Sequence, residues 1–541
     1  MINLINQNLT NSLGRGYYNP YLMGDNGTPV TSFKNSDKVF AYNVDALKVK
    51  NQSRTTRTSI FYINDFHGKA INMERTITAS NEFDRYTPTE QIDKLKLSSG
   101  DIMLGQDVAT NRVAISFMKI AGITASAVGN HECDMKSADF FNEVPNMPTK
   151  LLACNVKAGM TSKIAKYIQK SCIQDVNGTK YGIIGTIPSD LISRIKYGKV
   201  FQDQDIQPAD INETISAVQA EVNKLKSQGV NKIILLSHSG YGYDKKIAQN
   251  TEGIDVILGG HSHNLIKGIT NGENLLYSKS GEPVIITQAG RDGKYFGILN
   301  LEFDKDGIIT KAQNNVATTR EFSRNAIARY LFEKIKGKPE VIGKIRTAPP
   351  ILKNDLIEPN PLAYYGLDSM REITGADIAL VGASNLRGCV EKGDIDTGVI
   401  EEISPFKNKI IKVNYTEKEI VEALKFSAKS LTNRNNKPGI MYTSGLTYLI
   451  HKDGTISDLK YIDKNGNVSS IDVNNPREEK LYSTAINDYY SSGNDGLDML
   501  NKYFEATERY KWDINYAIEQ KIRNTKEPID IVDDGRIKIE K

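Results

Sequence analysis

The sequence is poor in tryptophan, cysteine and histidine, with one, four and six of them in 541 residues. Cys133, Cys154, Cys172 and Cys389 stand far apart with no C-x-x-C pair, which argues against a disulfide framework. Long apolar runs are also missing. No stretch reaches the roughly 18 consecutive apolar residues that read as a transmembrane helix. An excess of one charge is missing too. Lys plus Arg number 69 and Asp plus Glu 65, so the net charge of +4 lacks the concentrated basic charge of nucleic-acid or anionic-lipid binders, and no specific nucleic acid is expected as a partner. The opening segment MINLINQNLTNSLGRGYYNP has neither a basic region nor an unbroken apolar core, so no secretory signal is read in it and a cytoplasmic location is expected. What remains, 39% hydrophobic and 25% charged residues, suits folded domains, about three or four at average size.

Residues 1–57 are polar, rich in Asn, Gly, Tyr and Thr, and without a sustained period. They read as an irregular extension and as a candidate contact for a partner protein or a larger assembly. From Thr58 onward short apolar runs recur: SIFYI, KLKL, ITASAV, KLLAC, YGIIGT, KIILLS, DVILG and PVIIT. Runs of this length, bounded by Gly, Asp, Asn or Ser, suit buried strands. Between them lie helical patterns, clearest at 208–227, where Ile211, Ile215, Val218, Val222 and Leu225 fall on one face. Alternating strands and helices predict a layered α/β domain over 58–320. The stretch EFSRNAIARYLFEKIKG predicts a helix, and IRTAPPILKND after it breaks the pattern, so 321–344 is read as a linker helix. A second α/β domain is expected over 345–541, with SMREITG and KEIVEALKFSAKSL as helices and DIALVG, YLIHKDG and VSSIDV as strands or hairpin arms.

Five of the six histidines sit where an apolar run ends. The places, in order, are YINDFHG, LSSGD, AVGNHECD, LLSHSG and ILGGHSHN. In an open α/β sheet the ends of successive strands converge on one edge, where ligands bind. Asp65 with His67, and His261 with His263, are spaced i and i+2, so each pair projects to one side of an extended segment. With Asp101, Asn130 and His238 they make a set of oxygen and nitrogen donors without thiolate, suited to Mn, Fe, Co or Zn. That is more than one ion needs and fits two ions sharing a carboxylate, for which Asp101 is the candidate. His451, beside a turn in YLIHKDG, receives no role.

These blocks, DxH, GD, GNHE, a lone His and GHxH in that order, resemble the calcineurin-like metallophosphoesterases and, within them, the two-domain 5'-nucleotidases. The resemblance implies a four-layer αββα sandwich followed by a smaller α/β domain of 5'-nucleotidase type. It implies two divalent metal ions, one on Asp65, His67, Asp101 and His263, the other on Asp101, Asn130, His238 and His261. It also implies a catalytic dyad of His131 and Asp134, with His131 stabilising or protonating the leaving oxygen. The expected reaction is hydrolysis of a nucleotide's phosphate ester by a metal-bound water.

The C-terminal half resembles the nucleotide-binding domain of the same subgroup through TGADIALVGASNLRG, KGDIDTGVIEEISPFKN, YTSGLTYLI and INDYYSSGNDGLDML. By position, Arg387 would contact phosphate, Phe406 and Tyr489 would sandwich a base, and Asn408 and Asp495 would hydrogen-bond base or ribose. Three departures stand out. PPILKNDLIEPN carries Lys353 where the family has arginine, Gly382 stands where Asn is common, and Asn494 replaces a Gly. Lys lacks the bidentate fork of Arg, so a 2',3'-cyclic phosphodiesterase or a nucleotide-sugar hydrolase is the alternative reading. A third is an attachment or structural component carrying a phosphoesterase body.

Overall fold

The structure, a computed structural model, describes residues 55–86, 92–105, 107–159, 162–194, 206–350, 352, 356–386, 388–433 and 438–540. These fall into two compact units, one ending at Gly337 and the other beginning at Lys338. Most of the expected extension, through residue 54, lies outside the described residues, and Thr56 and Arg57 already belong to the first strand.

The first unit is built on two sheets. In the seven-stranded sheet, Thr56–Ile63 pairs antiparallel with Tyr295–Phe303 and parallel with Asp93–Ser98. The parallel run continues through Ala125–Ala127, Lys150–Leu152 and Ile168–Gln169. In the six-stranded sheet, Ile233–Ser237 lies parallel between Thr179–Thr186 and Val256–Gly259, and Pro283–Thr287 follows beyond.

Strand alternation decides the layering, because successive side chains point to opposite faces. Ile60 and Tyr62 share a core with Leu95, Leu97, Ile183, Ile234 and Leu236, so this core lies between the sheets. Phe61 and Ile63 face the other way, onto Met73 and Ile77 of helix Ala70–Tyr86 and Val113 and Phe117 of helix Val108–Ala121. Ile233 and Leu235 likewise turn to Val218, Val222 and Leu225 of helix Ile211–Ser227. The result is the expected order of helix, sheet, sheet, helix. Each fully buried Ile, Leu, Val or Phe contributes about 1.5–3 kcal/mol, which holds the layers together. The Ile211–Ser227 helix starts at a capping box of Asp210 and Glu213, and its Val218, Val222 and Leu225 are buried.

The segment 321–344 divides. Helix Ala326–Lys336 is capped by Asn325 and buries Ala328 and Phe332 in the same core as Phe117 and Phe296, so it is part of the first unit. Val341–Thr347 is a strand of the second unit, antiparallel to Gly393–Asp396 and parallel to Ile529–Asp530. The pattern therefore breaks after Thr347 rather than before Ile345.

The second unit has a five-stranded sheet in the order Met441–Ser444, Ile378–Gly382, Leu481–Asn487, Lys409–Thr416, Glu508–Asp513. Helices Pro361–Thr374 and Glu417–Ala428 pack against this sheet. SMREITG is only the end of the first helix, which Asn360 caps and Pro361 opens. YLI belongs to strand Leu446–Ile450 and VSS to Val468–Ser470, both in a separate four-stranded sheet. Among the described residues no helix is long and apolar enough to cross a membrane.

Candidate metal centre

Five parallel strands of the first unit end on one edge, and each hands its donors to the loop that follows. Asp65 and His67 follow Thr56–Ile63, Asp101 follows Asp93–Ser98, and Asn130 and His131 follow Ala125–Ala127. His238 follows Ile233–Ser237, and His261 and His263 follow Val256–Gly259. The register aligns these exits, pairing Ile63 with Ser98, Ser98 with Ser126 and Ser237 with Gly259.

The backbone here is strained. Asp65, His67, Asp101, His261 and His263 have φ of 52°, 48°, 52°, 71° and 59°, in the left-handed region that non-glycine residues avoid. Each such residue costs on the order of 1–3 kcal/mol and persists only where its surroundings over-determine it. They do so here. The N–H groups of Asp65 and His67 donate to the carbonyls of Gly100 and Asp101, both at 2.9 Å. The buried carboxylate of Glu132 accepts from the backbone N–H groups of Asp101, Ile102, Met103 and Gly129 at 2.8 to 3.1 Å. Gly129 and Gly260 let the loops close in. A Cβ on Gly129 would collide with the Asp101 carboxylate, and one on Gly260 would sit 2.8 Å from His238 Nδ1.

The side chains then meet. His67 Nε2 lies 3.6 Å from Asp101 Oδ2 and 3.9 Å from Asp65 Oδ1. His263 Nε2 is 3.4 Å from Asp65 Oδ1, and His238 Nε2 is 3.1 Å from Asp101 Oδ2 and 3.8 Å from Asp65 Oδ1. His261 Nδ1 sits 2.9 Å from Asn130 Oδ1, and its ring lies 5.2 Å from that of His238. Three overlapping groups, Asp65/His67/His263, Asp65/Asp101/His238 and His67/Asp101/His131, have donor atoms within 4.8 Å of one another. Asp65 thus reaches toward both His67 and His238, as Asp101 does.

The chemistry of this set fits divalent cations. His238 Nδ1 is 2.6 Å from the Ser99 carbonyl and His67 Nδ1 is 3.0 Å from Asp292 Oδ1. The Nε2 atoms of both rings are buried without a hydrogen-bond partner. Burial opposes a charge on His238, but Asp101 and Asp65 outweigh it and hold its pKa up at about 10. Burial opposes the Asp101 carboxylate in turn, and His238 and His131 hold it well below the usual carboxylate range. Two buried carboxylates facing imidazole nitrogens demand positive charge, and a cation coordinated by those nitrogens supplies it in place of a proton.

His131 and Asp134 lie on one short 3-10 turn, with His131 Nδ1 2.7 Å from Asp134 Oδ2. The other nitrogen, Nε2, stands 4.0 Å from Asp101 Oδ2. Glu132 and Asp292 carry no role in the sequence reading. Their signals were the Glu of the GNHE block and an Asp-Gly pair shortly after the run PVIIT. Asp190, whose Oδ1 is 3.4 Å from His261 Nε2, had no signal.

In the second unit, Arg387 and Lys353 lie outside the described residues. Asn408 Nδ2 donates to Asn385 Oδ1 at 2.8 Å, which also accepts from Asn487 Nδ2 at 3.0 Å. Tyr489 OH donates to Asp495 Oδ1 at 2.8 Å, and Asp495 Oδ2 accepts from Ser384 Oγ at 3.4 Å. Phe406 is exposed, two residues before Asn408, and its loop joins that of Tyr489 where Asp488 N–H donates to the Lys409 carbonyl at 2.8 Å. Gly382 has no room for an Asn, because a Cβ there would strike the Tyr490 hydroxyl. Asn494 uses its side chain to donate to the Tyr489 carbonyl at 2.6 Å.

Residues 341–502 match the family described as 5'-nucleotidase, C-terminal domain. The chain is 25% identical over 498 residues to the trifunctional nucleotide phosphoesterase protein YfkN of Bacillus subtilis, covering 82% of this chain and 32% of that one. It is 30% identical over 286 residues to a 5'-nucleotidase of Diplobatis ommata, covering 48% of each. The chain therefore spans about a third to a half of the length of these relatives. The solved structure of a 5'-nucleotidase precursor from Thermus thermophilus shares the fold, with a TM-score of 0.69 at 21% identity over 89% of this chain and 99% of that one. A double-sheet sandwich with His and Asp donors at its strand ends is followed by a region that matches the 5'-nucleotidase C-terminal domain, and the chain is similar to 5'-nucleotidases in sequence and in fold.

Proposed function

We propose that this protein is a metal-dependent phosphohydrolase that cleaves the phosphate ester of a nucleotide, with 5'-nucleotidase activity as its leading reaction. The observation that carries the reading is the pair of buried, unpartnered Nε2 atoms of His67 and His238 facing the carboxylates of Asp65 and Asp101. Asp65, His67, Asp101 and His263 would hold one divalent ion, and Asp101, Asn130, His238 and His261 the other. Bound divalent ions of this kind lower the pKa of water and stabilise charge on a transferring phosphoryl group. The chain's own part is acid–base chemistry and positioning. Asp134 would accept the Nδ1–H of His131 and stabilise the doubly protonated ring, so that this imidazolium hands its Nε2 proton to the departing ester oxygen and is left neutral, with its remaining proton on Nδ1.

In the second unit Phe406 and Tyr489 would stack on the base, Asn408 and Asp495 would hydrogen-bond base or ribose, and Arg387 would contact phosphate. The Lys353 substitution supports a second reading, hydrolysis of a 2',3'-cyclic nucleotide or a nucleotide sugar, since an ammonium does not reproduce bidentate phosphate recognition. Metal analysis with a substrate panel tests both. AMP hydrolysis dependent on Mn2+, Zn2+ or Co2+ is expected, whereas strong turnover of bis(p-nitrophenyl) phosphate with none of AMP would select the second. We assign the N-terminal extension, read as residues 1–57 and ending before the first strand at Thr56, an attachment role. Loss of assembly with unchanged turnover on deletion of residues 1–54 is the expected result.

A further inference from the structure

We propose that Asp292 is the positioning residue of the first cation site, the group that fixes the His67 ring so that its Nε2 faces the ion. The inference rests on the phosphohydrolase reading. Asp292 grips two neighbouring candidate ligands at once. Its backbone N–H donates to the Asp65 carbonyl at 2.6 Å, and its Oδ1 lies 3.0 Å from His67 Nδ1. Asn72 anchors it from behind, donating through Nδ2 to the Asp292 carbonyl at 2.8 Å. Asp292 and His67 are each only 1% exposed, so water does not compete for the contact.

A neutral imidazole carries one N–H. A carboxylate accepts and cannot donate, so the proton goes to Nδ1 and the lone pair to Nε2. That Nε2 is the atom left without a partner, 3.6 Å from Asp101 Oδ2 and 3.9 Å from Asp65 Oδ1. A carboxylate behind a ligating histidine also raises the basicity of the ring toward the metal.

Turn chemistry alone offers a rival explanation. Asp292 and Gly293 have φ of 59° and 61°, a left-handed pair that Asp-Gly and Asn-Gly suit about equally. The molecule uses the other option elsewhere. In the hairpin between Ser171–Val176 and Thr179–Thr186, Asn177 and Gly178 have φ of 53° and 83°. A tight turn therefore has no need of the charge, and the charge at Asp292 is what meets His67.

This contrast supplies the experiment. D292N keeps the turn residue and a side-chain oxygen but removes the charge and permits the wrong histidine tautomer. D292G keeps the backbone conformation and removes the acceptor. The full chain, stripped of metal, is titrated with Co2+ against a chromophoric chelator, with the visible absorption of bound Co2+ and the melting temperature recorded. The expected result is an unchanged melting temperature for metal-free D292N, one of two Co2+ binding steps weakened about 10- to 100-fold, and at least as large a loss in D292G. In an H67A background the D292N effect should vanish, because the two residues act as one unit. D292N binding both ions as tightly as wild type, or weakening binding equally with and without His67, would overturn the proposal and leave the phosphohydrolase reading standing. A wild-type chain that takes up no Co2+ would overturn both.

Discussion

The strand-end loops of the first unit and those of the second are both polar, yet they are stabilised in opposite ways. In the first, Asp65, His67, Asp101 and His238 are buried, three of them on left-handed backbone, and two imidazole nitrogens have no partner. In the second, Asn408, Asn385 and Asn487 share one hydrogen-bond system, and Tyr489, Asp495, Ser384 and Tyr490 share an adjoining one. Buried charge is costly unless paired, whereas a hydrogen-bonded polar network is already satisfied. The first region thus carries buried charge that a bound cation would offset, and the second is a hydrogen-bonded polar network that is already satisfied.

The largest expected effect probes chemistry separately from binding in the first region. His131→Ala should retain as much bound metal as wild type, by elemental analysis, and lose about 10²- to 10⁴-fold in kcat, the usual span for a general acid. Loss of metal instead would mean that His131 belongs to the cage.

Stability comes next. At metal concentrations about 1,000 times the dissociation constant, binding should stabilise the first unit by about 4 kcal/mol. Hydrogen exchange resolved by segment should show that gain in the first unit and not at Lys409–Thr416 or Leu481–Asn487. Equal protection in both regions would erase the contrast.

Glu132→Gln should destabilise by roughly 1–3 kcal/mol in urea melts, since an amide replaces a buried acceptor that serves four backbone N–H groups. Phe406→Ala has the smallest expected effect, about 0.5–1.5 kcal/mol in kcat/KM, through KM and with no change in melting temperature.

The contrast also has a pH signature in the metal-free chain. The folded pKa of His238, about 10, lies above the unfolded value of about 6.5. Its contribution to stability is therefore fully present below pH about 6.5 and is lost as pH rises toward about 10. Metal-free melting temperatures should fall across that window. Saturating metal should flatten the slope, because a coordinated imidazole is neutral in both limits. A metal-free profile without slope would break the electrostatic account.

The small sheet of the second unit and the cage differ in how far they could be read in advance. VIGKIRT is short and alternates weakly, so the break placed by the prolines after it masked a strand that pairing with Gly393–Asp396 and Ile529–Asp530 stabilises. The Ala326–Lys336 helix was legible as a helix, but its attachment to the first unit depends on where Phe332 finds a core. Asp292 illustrates the limit most clearly. An Asp-Gly pair in a loop is ordinary turn chemistry, and nothing local tells that its carboxylate ends 3.0 Å from a histidine 225 residues away.

By itself the sequence determined the donor types and a layered α/β domain, and its family resemblance implied the four-layer order. Short continuous apolar runs make buried strands, and scarce histidines placed where those runs stop converge once parallel strands align. Tertiary structure alone decided which nitrogens are left without partners, which carboxylates stand between them, and which neighbours set their tautomers. Those properties arise from burial and from contacts between residues remote in the chain, and they have no counterpart in local spacing.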